Sequence, residues 1–85
     1  MDETFAFSKH AVERMRSRKI SDSEIRIAIN NPDNVIQETN CKTVYHKILS
    51  EKGSKILIRV FMNTCKDPKL IITAYKTSKI DKYEY

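Results

Sequence analysis

Lys55-Ile-Leu-Ile-Arg-Val-Phe-Met-Asn63 decides the fold of this chain. Alternate residues of a β-strand point to opposite faces of its sheet. Ile56, Ile58, Val60 and Met62 make one purely apolar row, which belongs under a covering layer. Leu57, Arg59, Phe61 and Asn63 make the other row, in which one cation sits among apolar side chains. A strand this long and this rich in Ile and Val needs partners, so the surrounding sequence is expected to supply a sheet.

Reading outward, Ser50-Glu51-Lys52-Gly53 holds the only glycine and predicts a hairpin turn. It leads back to a strand over Lys42–Leu49, and a turn at Thr39-Asn40 leads further back to a short strand over Asn34–Glu38. Downstream, Thr64-Cys65-Lys66-Asp67-Pro68 predicts a turn into a last strand over Leu70–Lys76. Upstream, Ser21 with Glu24 forms a capping box, and Ile25, Ala28 and Ile29 recur at helical spacing. Pro32 disfavours helix at Asn31 and ends this element. Ser8 is the N-cap of an earlier helix reaching Arg18, with Ala11, Val12 and Met15 on its apolar side. Thr4–Phe7 reads as an extended lead-in. The expectation is a single domain over residues 1–85 of class α+β, with two N-terminal helices packed on one face of a four-stranded antiparallel meander.

The 85 residues carry a formal net charge of +5, and it is uneven. Residues 1–40 hold six Lys/Arg and seven Asp/Glu, whereas residues 41–85 hold ten and four. Within the first part, residues 9–19 hold five cations against Glu13 alone. Such patches favour a polyanion as partner, although a Lys-rich surface also serves solubility. Cys41 and Cys65 lack metal-ligand spacing and fit a reducing compartment. The N-terminal residues show no signal-like pattern, and no apolar run reaches the length of a membrane span. The protein is therefore expected in the cytoplasm, without metal or other cofactor and without a membrane partner.

If Val44 and Ile48 are core residues, Tyr45 and Lys47 share the open sheet face with Arg59. Placing Ile72 and Ala74 inward sends Thr73, Tyr75 and Thr77 to that same face. Cations interleaved with tyrosines suit single-stranded RNA, whose phosphates pair with Lys and Arg and whose bases stack on rings. An antiparallel sheet also commonly presents a plain polar face to water. On the first helix His10 and Arg14 lie one turn apart. A titratable imidazole beside a fixed cation suits proton exchange at a phosphodiester. A histidine near a helix N-terminus is also often a mere surface group. His46 falls on the expected inward face and reads as structural.

The string Phe7-Ser-Lys-His-Ala-x-x-Arg14-Met-x-x-Arg18-x-Ile20 resembles the opening motif of the bacterial domain-of-unknown-function 4258 family. Ser21-x-x-Glu24-Ile25, Val44-Tyr-x-Lys47, Leu57-Ile-Arg59-Val60 and Ile72-Thr-Ala-Tyr75-x-Thr77-Ser-Lys79-Ile80 follow in the family's order. That family in turn resembles RelE-like and colicin-type ribonuclease toxins, which cleave RNA without metal and often pair with an antitoxin. The resemblance implies His10 and Arg14 on the helix, and Lys47, Arg59, Tyr75 and Thr77 on the strands, as candidate functional residues. Taken with the sheet alternation, the expected catalytic set is His10, Arg14, Lys47, Arg59 and Thr77, with Tyr45, Tyr75 and Lys79 binding substrate. One departure stands out: Lys19 occupies a position that is usually glycine in the family. The helix must end there in a left-handed residue at some strain, or end differently.

The reading expected from all this is a small cytoplasmic RNA-cleaving domain, a toxin of a toxin–antitoxin pair, acting on free or ribosome-bound RNA. The alternatives are a non-catalytic RNA- or ribosome-binding module, and a protein-interaction domain using outward-facing Leu57 and Phe61.

Overall fold

A computed structural model describes residues 5–79 of the chain. The elements are β1 (Phe5–Phe7), α1 (Lys9–Ser17), α2 (Asp22–Asn30), β2 (Asn34–Gln37), β3 (Lys42–Glu51), β4 (Ser54–Asn63) and β5 (Lys69–Thr77). The strands form one five-stranded sheet in the order β1-β5-β4-β3-β2. β2 to β5 run antiparallel to their neighbours, as the short turns dictate, while β1 pairs parallel with β5.

The expected four-stranded antiparallel meander is therefore wrong: the sheet is mixed and has five strands. The lead-in is itself a strand, with Phe5 opposite Lys69 and Phe7 opposite Ile71. Three residues are too few for alternation to announce a strand. What fixes them is tertiary, since Phe5 and Phe7 pack against the core that later elements build.

That core lies between the helices and one sheet face. Ala11, Ile25, Ala28 and Ile29 meet Tyr45, Ile58, Val60, Met62, Ile71 and Ala74. The apolar row of β4 points to the helices, as its sequence requires. The assignment for β3 is reversed. Lys52 and Gly53 both have positive φ, 50° and 79°, which makes a two-residue hairpin turn. Glu51 then faces Ser54, and counting outward sets Lys47 against Ile58, His46 against Arg59 and Tyr45 against Val60. Directly opposed residues share a face, so Tyr45 and Lys47 go to the helix side and Val44 and His46 to the far side. In β5 a register shift opposite Phe61 and Met62 makes Ile72 an extra residue. Ile71 and Ala74 consequently turn inward, where Ile72 and Ala74 were expected.

α1 lies along the β5 edge. β1 covers only Lys69–Ile71, leaving later β5 carbonyls without a strand partner on that side among the described residues. Both ends of α1 cover them. Ser8 accepts a hydrogen bond from the Ala11 amide (3.0 Å) as N-cap and donates to the Ile72 carbonyl at 3.1 Å. The Arg18 guanidinium donates from Nη1 to the Ala74 carbonyl at 2.8 Å. Capping an exposed sheet edge in this way also blocks edge-to-edge pairing.

α1 ends in a Schellman arrangement. The Ile20 amide donates to the Met15 carbonyl (2.8 Å) and the Lys19 amide to the Arg16 carbonyl (3.4 Å). Lys19 takes the left-handed conformation at φ 55°, so the strained alternative is the one realised. α2 opens with the expected capping box, as the Ser21 amide donates to Glu24 Oε1 (2.9 Å) and the Glu24 amide to Ser21 Oγ (3.1 Å).

The two cysteines, far apart in sequence, are joined. Lys42 faces Asn63, so Cys41 and Cys65 flank the open end of the β3–β4 ladder with Cα atoms 5.0 Å apart and form a disulfide. A disulfide does not match the reduced thiols that a reducing compartment implies. No helix of the described residues is long and apolar enough to cross a membrane.

Candidate functional site

The sheet face away from the helices carries a strip in which cations and rings alternate. The Tyr75 and Phe61 rings lie 6.0 Å apart at 22°. The Arg59 guanidinium sits over both, 5.3 Å from the Tyr75 centroid and 5.1 Å from that of Phe61. Lys42 lies over Phe61 at 5.4 Å, and Arg18 lies over Tyr75 at 5.7 Å. The order is thus Lys42, Phe61, Arg59, Tyr75, Arg18. Each contact of this type contributes about 0.5–1 kcal/mol near a surface, and the planar guanidinium stacks better than an ammonium.

Arg59 is held from two sides. Its Nη1 donates to the Tyr75 hydroxyl. Its Nε donates to His46 Nε2 at 2.9 Å. His46 is only 1 % exposed. Burial first, and the Arg59 charge second, push its pKa below the ordinary value of 6.5. The imidazole is therefore neutral, and accepting at Nε2 places its proton on Nδ1. That Nδ1 is buried and has no hydrogen-bond partner among the described residues. Val44 and Leu57, on the same face, are fully buried, so this side of β3 and β4 has an apolar floor beneath the strip.

Of the residues expected at the site, Arg59, Tyr75 and Thr77 do share this face, because Arg59 opposes Tyr75 and Leu57 opposes Thr77. Thr77 Oγ1 accepts from the Lys79 amide at 3.0 Å, which places exposed Lys79 at the end of β5. Lys47 and Tyr45 do not belong there. Lys47 lies on the helix side, 3.6 Å from Asp33, and Tyr45 is a core residue. His10 and Arg14 are exposed on α1, where Arg14 Nε donates to His10 Nε2 at 3.2 Å. Leu57 is buried rather than available to a partner.

His46 and Arg18 take the places that Lys47 and Arg14 were expected to fill. Their signals were in the sequence. The Lys52-Gly53 turn fixes His46 opposite Arg59, and Arg18 continues the His10–Arg14 spacing by one more turn. No group of three His, Cys, Asp or Glu side chains gathers among the described residues.

A family model described as a domain of unknown function (DUF4258) matches residues 7–76, and the chain belongs to that family. No curated protein and no solved structure matches the chain. The further likeness to RelE-like and colicin-type nucleases gains no support from these comparisons.

Proposed function

We propose that this DUF4258 domain binds single-stranded RNA across the far-face strip and cleaves it there without a metal ion. The observation that carries the reading is the Tyr75 ring set between two guanidiniums, those of Arg18 and Arg59. Rings that stack bases and cations that pair phosphates, alternating along one line, are the elements single-strand recognition requires. In the reaction, O2′ attacks the adjacent phosphorus and the P–O5′ bond breaks. The 2′-hydroxyl proton leaves to solvent, and Tyr75, hydrogen-bonded to Arg59, gives its proton to O5′. The products are a 2′,3′-cyclic phosphate and a 5′-hydroxyl. Arg59 and Arg18 stabilise the charge that grows on the phosphate oxygens. A toxin role, with an acidic antitoxin covering the strip, is the narrower form of this proposal.

The test is incubation of the purified protein with RNA in EDTA, with and without ribosomes. Cleavage that Tyr75→Phe slows far more than it weakens binding is the expected outcome. Absence of cleavage of any RNA removes the catalytic reading. The second reading, a non-catalytic RNA-binding module, is favoured by one feature. Both imidazoles already accept a hydrogen bond from an arginine, His46 from Arg59 and His10 from Arg14. Salt-sensitive binding without cutting is its signature.

A further inference from the structure

We infer that an RNA strand seated on the strip continues over the β5 edge onto the His10–Arg14–Arg18 stripe of α1, which takes the flanking phosphodiesters. This rests on the RNA reading above and extends its footprint from the sheet to the helix.

Three observations lead to it. The first is continuity. Arg18 belongs to both surfaces: it ends α1, donates to the edge carbonyl of Ala74, and stacks over Tyr75 on the far face. Residues four apart on a helix share a face, so Arg14 and His10 extend from Arg18 along the same edge. The Arg14–His10 hydrogen bond shows the two side chains lying together.

The second observation is charge. Four cations elsewhere sit in ion pairs: Arg26 with Asp22, Lys42 with Glu38, Lys47 with Asp33 and Lys76 with Glu24. Lys9, Arg14, Arg16, Arg18 and Lys19 have no such ion pair among the described residues, and all are exposed. Glu13, the one acid in α1, precedes Arg14 by one residue and so lies about 100° round the helix, off the stripe.

The third is orientation. Arg14 spends Nε on His10, which fixes the plane of its guanidinium, while its terminal nitrogens make no hydrogen bond among the described residues. A pre-set fork of donors suits a phosphate better than a flexible ammonium does. A polyanion whose charges repeat along a flexible chain fits a line of fixed cations that turns a corner.

The experiment compares binding of 2′-O-methyl oligouridylates of about three and about nine nucleotides, which cannot be cut through the 2′-oxygen. The intact chain should bind the longer one more tightly. Arg14→Ala should remove most of that length advantage and lower the salt slope for the longer oligonucleotide by about 0.7, one phosphate contact on a single strand. Arg59→Ala should weaken both lengths. Arg14→Gln, a milder change at the same exposed position, guards against loss of fold. If Arg14→Ala and Arg14→Gln both keep the full length advantage while Arg59→Ala weakens binding, the helix track is wrong and the strip reading stands. If the wild type binds neither oligonucleotide, both fall. If polyglutamate of matched charge displaces the longer oligonucleotide as well as RNA does, the stripe serves an acidic polypeptide, and the track is again overturned.

Discussion

Arg59 Nε donates to His46 Nε2 at 2.9 Å across directly paired strands. The bond joins a permanent cation to an imidazole that burial keeps neutral, and it decides which way the guanidinium faces. With Nε held by His46 and Nη1 by Tyr75, the Arg59 guanidinium sits over both rings of the strip.

This relationship makes stability depend on pH. The folded His46 pKa lies below 6.5, whereas the unfolded chain titrates near that ordinary value. Below it the unfolded state binds the proton and the folded state resists. The contribution is therefore intact above about pH 6.5 and is lost as pH falls through the lower folded value. Urea midpoints measured between about pH 7 and pH 5 should decline. His46→Gln, which keeps an acceptor for Arg59 but does not titrate, should flatten that decline, and an unchanged slope would sink the assignment.

The two faces of the β3–β4 ladder make opposite predictions for two cations. Arg59→Ala should slow RNA cleavage by about a hundredfold, as expected for a lost donor at a developing oxyanion. Lys47→Ala should do far less, because its ammonium sits on the helix side against Asp33. Equal losses in a cleavage assay would mean that the strip is not where the reaction occurs.

Lys19 is a strained C-cap. A non-glycine residue at φ 55° carries a steric penalty of about 1–2 kcal/mol, part of which glycine returns through its freer unfolded chain. Lys19→Gly should stabilise the fold by about 0.5–1 kcal/mol in chemical denaturation. A destabilised variant would show that Lys19 makes a compensating contribution not visible in its backbone.

The disulfide closes a loop with a sequence separation of 24. Loop-closure entropy then predicts a loss of about 3 kcal/mol on reduction, or in Cys41→Ser with Cys65→Ser. Urea melts with and without reductant measure it. The β3–β4 ladder continues through the Lys52–Gly53 turn at its other end, so the fold should persist in reductant at lower stability.

Much of the fold could be read without coordinates because it rests on local rules. Ser8 and Ser21 cap helices through bonds to amides three residues on. The β4 alternation names its own core face. The Lys19 departure from glycine left two ways to end the helix, a left-handed residue or a different exit, and the first is realised. The site was legible in part: Arg59, Tyr75 and Thr77 follow from alternation on β4 and β5. His46 could have joined them, since a two-residue turn at Lys52-Gly53 sets its register by counting.

What sequence alone determined, then, is the two helices, the strands β2 to β5 and the inward row of β4, because backbone sterics and side-chain periodicity act within a few residues. Tertiary structure decided two things that no local rule reaches. It made Phe5–Phe7 a fifth strand, since a parallel pairing joins residues some sixty positions apart and is stabilised only once β5 and the core exist. And it carried Arg18 round the β5 edge, where a carbonyl left bare by the shortness of β1 gives a guanidinium its anchor beside Tyr75.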